Sequence, residues 1–205
     1  MAHALVDSTS RRLTDSLHIP LNAALIVGAS LLMAVCAHVS IPLWFTPVPI
    51  TLQTFGVILL ALTLGGWRAS AALVLYLVEG ILGLPVFSPS GPGGIAQILG
   101  PTGGFLIAYP LAALVGGLLA QKMLRGERPI GSFVLAALTC DAIIFACGAV
   151  WLLVLTHQST TAIMTAAVLP FLPGEVLKGA AAIGAALARS ARFPQTRNSG
   201  LSGKK

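Results

Sequence analysis

Ile130-Gly-Ser-Phe-Val-Leu-Ala-Ala-Leu-Thr-Cys-Asp-Ala-Ile-Ile-Phe-Ala-Cys-Gly-Ala-Val-Trp-Leu-Leu-Val-Leu155 carries a single charged side chain, Asp141. About 20 predominantly apolar residues suffice to cross the hydrocarbon core of a bilayer as a helix, so this stretch reads as a membrane span. The composition agrees. Of the 205 residues, 56% are hydrophobic and 9% charged, whereas a soluble domain carries about 25% charged residues.

Working outward, apolar runs punctuated by Pro and Gly place five more helices at about 20–39, 49–65, 68–84, 104–123 and 173–190. The expected architecture is an all-α integral membrane protein of six transmembrane helices, with a Gly/Pro-rich external loop between the third and fourth. One membrane domain over 20–190 is flanked by polar tails at 1–19 and 191–205. No strong internal repeat relates the halves, which argues against an inverted-repeat carrier.

Charge placement sets the expected orientation. Arg11, Arg12, Arg68, Lys122, Arg125, Arg128, Arg189, Arg192, Arg197, Lys204 and Lys205 fall in alternate connections or tails, while the connections at 40–48, 85–103 and 156–172 contain no Lys, Arg, Asp or Glu. The positive-inside rule then puts both termini in the cytoplasm and leaves Lys178 as the one basic residue out of pattern. The net charge of +6 is thus topological, and no basic face suited to nucleic acid is drawn.

Cys36, Cys140 and Cys147 lie inside apolar segments and read as small core residues. Ser10-Arg11-Arg12 and the run ending at Cys36 only superficially match an export signal or lipoprotein box, because Leu13-Thr14-Asp15 breaks the apolar continuation and Val35 is large. The first apolar run is expected to be an uncleaved anchor.

The connection after Leu84 is long and rich in Gly and Pro, yet its Val86, Phe87, Ile95, Ile98 and Leu99 argue against disorder. It is expected to fold back over the helices as a cap, buried in protein, with glycines permitting close backbone approach to a small molecule. Phe87, Ser90, Gln97 and Thr102 are its candidate contacts.

Acidic residues inside the spans are Glu79, Asp141 and Glu175. An intramembrane charge costs about 2.5–3.5 kcal/mol even on the lenient insertion scale, so each is a functional candidate. In Leu172-Pro-Gly-Glu-Val-Leu-Lys178 a carboxylate and an ammonium stand three residues apart on one helix face. They could grip a ligand or simply neutralise each other. Val48-Pro-Ile-Thr-Leu-Gln-Thr54 brings Thr51, Gln53 and Thr54 to the same outer end. Tyr76 shares a face with Glu79, and Asp141 lies near the midplane, as a pairing residue or a cavity floor.

These residues resemble the BioY family, the biotin-binding S components of energy-coupling-factor transporters. The resemblance runs over about 42–190 and rests on Pro47-Val-Pro-Ile-Thr-Leu-Gln-Thr54, Tyr76 with Gly80 and Gly83-Leu-Pro-Val-Phe87, Leu99-Gly-Pro-Thr-Gly-Gly104, and Leu169-Pro-Phe-Leu-Pro-Gly174 followed by Glu175 and Lys178. It implies six membrane helices with the vitamin bound near the outer surface under loops, Glu175 and Lys178 being associated with it. The family usually has Asp where this chain has Glu175. Which end of biotin meets Lys178 stays open at this point.

The resemblance also implies docking on a transmembrane T component through small residues of the first helix, completed by two cytosolic ATPases. A strict Ala-x-x-x-Ala is absent there; Ala24, Gly28, Ser30 and Ala34 are the candidate docking residues. This chain has no Gly-x-x-x-x-Gly-Lys-[Ser/Thr] loop, so ATP use is assigned to the partners and no cofactor is expected. Homo-oligomerisation is left open. Two other classes compete: a self-contained proton-coupled carrier using Glu79, Asp141 and Glu175, and an intramembrane hydrolase built on Ser90 and His157. The hydrolase lacks the Gly two residues before Ser90, and the four histidines have no metal-ligand spacing. The chain is expected not to be an enzyme.

Overall fold

Helices dominate because an apolar run in lipid must satisfy its backbone hydrogen bonds internally, and Leu and Ala favour the helix. The computed structural model describes residues 2–123 and 129–192, with side chains over 20–123 and 130–191. Arg125, Arg128, the side chains of Arg11 and Arg12, and the tail beyond Arg192 lie outside the residues so described.

The elements in order are α1 (Ala2–His38), β1 (Ser40–Ile41), β2 (Ile50–Thr51), α2 (Gln53–Leu64), α3 (Gly66–Ile81), α4 (Gly94–Leu99), α5 (Gly103–Met123), α6 (Pro129–Thr156), α7 (Thr160–Ala167) and α8 (Leu172–Arg192). Among the described residues three stretches are long and apolar enough to cross a membrane: Pro20–His38, Gly103–Met123 and Ile130–Thr156. A fourth forms if α7 and α8, bent by 50° at a short break, count as one broken span. Large apolar side chains such as Leu31, Val35, Leu138 and Val154 are exposed on the outside of the bundle, as a lipid-facing surface requires. The molecule is a multi-pass membrane protein.

The boundaries depart from the sequence expectation in four places. α1 begins at Ala2 and continues through Pro20, because an apolar run marks the part of a helix suited to lipid and not where the helix starts. α2 begins at Gln53, four residues late, since β1 and β2 pair antiparallel, Ser40 opposite Thr51 and Ile41 opposite Ile50. α2 and α3 are 12 and 16 residues long, short of a straight crossing at about 1.5 Å per residue. The long loop contains α4, and the 156–172 connection contains α7.

Small residues let the central helices approach closely. On α5, Gly104, Ala108, Ala112, Gly116 and Ala120 recur every four residues and are all buried, the small-xxx-small pattern of membrane helix packing. They meet α6. A Cβ on Gly116 would strike Cys140 Sγ and come within 3.0 Å of the Ala136 carbonyl oxygen, and one on Gly104 would strike Trp151. Cys140 Sγ donates to the Ala112 carbonyl at 3.3 Å. Gly65, at φ +81°, makes the tight turn from α2 into α3, and a Cβ on Gly117 would press on the backbone of Gly66.

α1 packs on α3 through a polar contact: Ser30 Oγ lies 3.0 Å from both carboxylate oxygens of Glu79. Glu79 thus meets another helix. Ser30 is fully buried by this contact, which removes it from the candidate docking face. Ala34 is half-buried against the core, while Ala24 and Gly28 remain exposed.

Candidate functional site

At the end of the bundle where α2, α5 and α8 begin, a cavity encloses about 570 Å³ of empty space, counting the part open to solvent. Its walls come from several elements at this end: Val48, Pro49 and Thr51 in and before β2, Gln53 and Thr54 at the start of α2, Ser88 in the long loop, Gln97 on α4, Thr102, Phe105, Leu106 and Tyr109 around the start of α5, Ile144 and Phe145 on α6, Ala167 at the end of α7, Phe171 just before α8, and Glu175 and Lys178 on α8.

Glu175 occupies the first turn of α8, where the helix dipole favours a carboxylate. Lys178 Nζ donates to Glu175 Oε1 at 2.7 Å and to Thr54 Oγ1 at 3.2 Å. Their side chains are 11% and 6% exposed, so the pair is largely removed from water. Glu175 Oε2, by contrast, is buried with no hydrogen-bond partner. A buried carboxylate oxygen without a donor costs free energy, and a ligand N–H supplies one. Lys178 retains one of its three donors.

Gln53 is held from two sides. Its Nε2 donates to Tyr76 OH at 2.7 Å, and its Oε1 accepts from Thr51 Oγ1 at 3.1 Å. Gln97 is held likewise, accepting from Gly93 N–H at 3.2 Å and donating to Thr102 Oγ1 at 3.0 Å. Between these polar groups stands an aromatic wall, with Phe105 and Phe145 edge-to-face at 6.1 Å and Phe145 and Phe171 tilted at 6.5 Å. A small molecule with an apolar body and hydrogen-bonding ends fits such a lining.

The long loop is anchored at this end. Trp151 Nε1 donates to the Gly100 carbonyl at 2.9 Å, Ser88 Oγ donates to Ser40 Oγ at 2.9 Å, and Ser40 Oγ lies 2.8 Å from Ser90 Oγ. The loop is thereby tied to α6 and to the hairpin.

Of the residues singled out in the sequence, Thr51, Gln53, Gln97, Thr102, Glu175 and Lys178 line the cavity; Tyr76, Phe87, Ser90 and Asp141 do not. Tyr76 is fully buried behind Gln53 and packs edge-to-face on Phe87 at 5.4 Å, with the Phe87 ring against the bare backbone of Gly80. Ser90 is taken up by Ser40, and no hydrogen bond joins it to His157. Asp141 sits below the cavity with a buried, unpartnered Oδ1. Thr54, which the sequence places at the outer end beside Thr51 and Gln53, lines the cavity with them; the sequence does not single out Ser88 or the aromatic wall, whose members look like ordinary core residues in apolar helices. Among the described residues no cluster of three His, Cys, Asp or Glu could hold a metal ion.

Fold and cavity together define a multi-pass helical membrane protein with a partly enclosed polar and aromatic cavity at one end. The BioY family model matches residues 9–195. A probable biotin transporter BioY of Pyrococcus horikoshii is 37% identical over 152 residues, covering 74% of this chain and 85% of that one. A biotin transporter BioY of Rhodobacter capsulatus is 37% identical over 162 residues, covering 73% and 82%. The crystal structure of the S-component for biotin from an ECF-type ABC transporter superposes with a TM-score of 0.77 at 22% identity, over 85% of this chain and 93% of that one; this likeness speaks to the fold. The chain belongs to the BioY family.

Proposed function

We propose that this protein takes up biotin, binding it in the capped cavity with Glu175 and Lys178 at the polar end. The family membership and the names of the relatives support the ligand. The observation that carries the site is Glu175 Oε2, a buried acceptor lacking a donor, beside a lysine that still has one to give.

An acceptor and a donor side by side complement the ureido ring, which presents N–H and C=O together. A valerate carboxylate placed there would face Glu175 and add negative charge to negative. The ureido ring therefore occupies the Glu175–Lys178 end, the bicycle lies against Phe105, Phe145 and Phe171, and the valerate carboxylate reaches the neutral donors Ser88, Gln97 and Thr102.

In the wider reading, six helices cross or partly cross a bacterial inner membrane with both termini cytoplasmic, α2 and α3 being the short members. The cavity then faces outward. Lacking a phosphate loop of its own, the protein works with a T component and two ATPases, and Ala24 and Gly28 on the exposed side of α1 are the docking residues that remain. Reorientation within that complex releases biotin inside.

Calorimetric titration of the detergent-purified protein tests the ligand and its orientation. Biotin should bind saturably and thiamine should not. Biotin methyl ester should lose less than about tenfold, and 2-iminobiotin, whose ureido oxygen is replaced, more than about tenfold, as loss of a hydrogen bond to a charged group implies. Loss with the ester and retention with the imino analogue would reverse the orientation.

A further inference from the structure

At the opposite end of the bundle a second groove of about 1210 Å³, counting space open to solvent, lies where α2, α5 and α8 end and α3 and α6 begin. Among the described residues its lining includes two guanidiniums, Arg68 and Arg189, and no carboxylate. Arg189 Nη1 donates to the Thr63 carbonyl at 2.8 Å, which holds the head group in place and uses one of its five donors. Arg68 is exposed and makes no hydrogen bond or ion pair among the described residues. Beside the two cations stand apolar walls, Leu62, Leu64 and Phe133. Nothing in biotin binding uses this groove.

We propose that this groove binds a phosphate-bearing anion. Guanidinium forks match phosphate oxygens geometrically. Basic pockets between membrane helices on the cytoplasmic side suit anionic head groups, and the adjoining apolar walls suit the start of an acyl chain. The head group of an anionic phospholipid is one source of this chemistry and free phosphate is the other.

The test is thermal stabilisation of the detergent-purified full chain titrated with phosphatidylglycerol, phosphatidylcholine or inorganic phosphate. Phosphatidylglycerol should stabilise at lower concentration than phosphatidylcholine. Arg68→Gln should raise its midpoint about fivefold, the effect of one surface cation. Arg68→Lys should recover most of that loss, and Lys122→Gln, at the same end but outside the groove, should leave the midpoint in place. A response to inorganic phosphate with the same dependence on Arg68 supports the site with a soluble ligand. Equal response to both lipids with none to phosphate overturns the proposal, as does a Lys122→Gln effect equal to that of Arg68→Gln. Biotin binding should be unchanged in Arg68→Gln, so failure here is separable from failure of the biotin site.

Discussion

Lys178 Nζ bridges two helices, reaching Glu175 Oε1 on its own helix at 2.7 Å and Thr54 Oγ1 on α2 at 3.2 Å. The ammonium is thereby aimed before any ligand arrives. Such preorganisation limits the ordering cost of binding. It also makes Thr54 a positioning residue: Thr54→Val keeps the shape and removes the acceptor. Biotin affinity should fall about three- to tenfold, the worth of one ordinary hydrogen bond, while the unfolding temperature changes little. Titration of the variant alongside the parent checks this.

Tyr76 acts one step further back. Its hydroxyl accepts from Gln53 Nε2 at 2.7 Å and does not line the cavity. Tyr76→Phe leaves a buried amide donor without its partner, at a cost of about 1–3 kcal/mol. The expected outcome is a lowered unfolding temperature with biotin bound only a few-fold more weakly. Gln53→Ala leaves the buried Tyr76 hydroxyl unpaired and should lower the unfolding temperature as well, but with a larger loss of biotin affinity because it also removes a lining group.

The hydroxyls of Ser88, Ser40 and Ser90 form a chain from the long loop to the hairpin. Ser40 is central to it. In Ser40→Ala the loop loses both of these ties, and biotin should dissociate several-fold faster, with a smaller change in the association rate. Stopped-flow exchange against excess unlabelled biotin reads the two rates separately.

Close packing of α5 on α6 gives a stability prediction independent of the ligand. A Cβ at Gly116 has no room beside Cys140, so Gly116→Leu forces the helices apart and should destabilise the protein by at least about 1–3 kcal/mol, the usual range for overpacking. Gly28→Leu, at a position with nothing within 4 Å, should leave the unfolding temperature of the isolated protein nearly unchanged. Thermal unfolding of both variants in detergent measures the contrast.

Helices were legible where physics leaves a strong mark. A run such as Ile130 to Leu155 cannot be placed in water, and Pro and Gly bracket the others. α4 and α7, at six and eight residues, are too short for periodicity to register, and the hairpin that delays α2 depends on a pairing between Ser40 and Thr51 that no local pattern announces. The site divides in the same way. Glu175 and Lys178 stand out because charge in an apolar helix demands a reason, whereas Phe105, Phe145 and Phe171 are aromatic residues among apolar ones and only the third dimension brings them together. Tyr76 and Phe87 illustrate the converse, conspicuous in sequence but turned toward each other behind the wall.

The central claim is that Glu175 and Lys178 hold the ligand. Its most direct test is the dissociation constant of biotin for the parent, Lys178→Ala and Glu175→Gln, measured by equilibrium binding on folded, detergent-purified protein. Lys178→Ala should weaken binding by about two orders of magnitude or more, as expected when a buried charge pair is broken, and Glu175→Gln should weaken it less. Both variants binding biotin as tightly as the parent would contradict the claim and move the site elsewhere in the molecule.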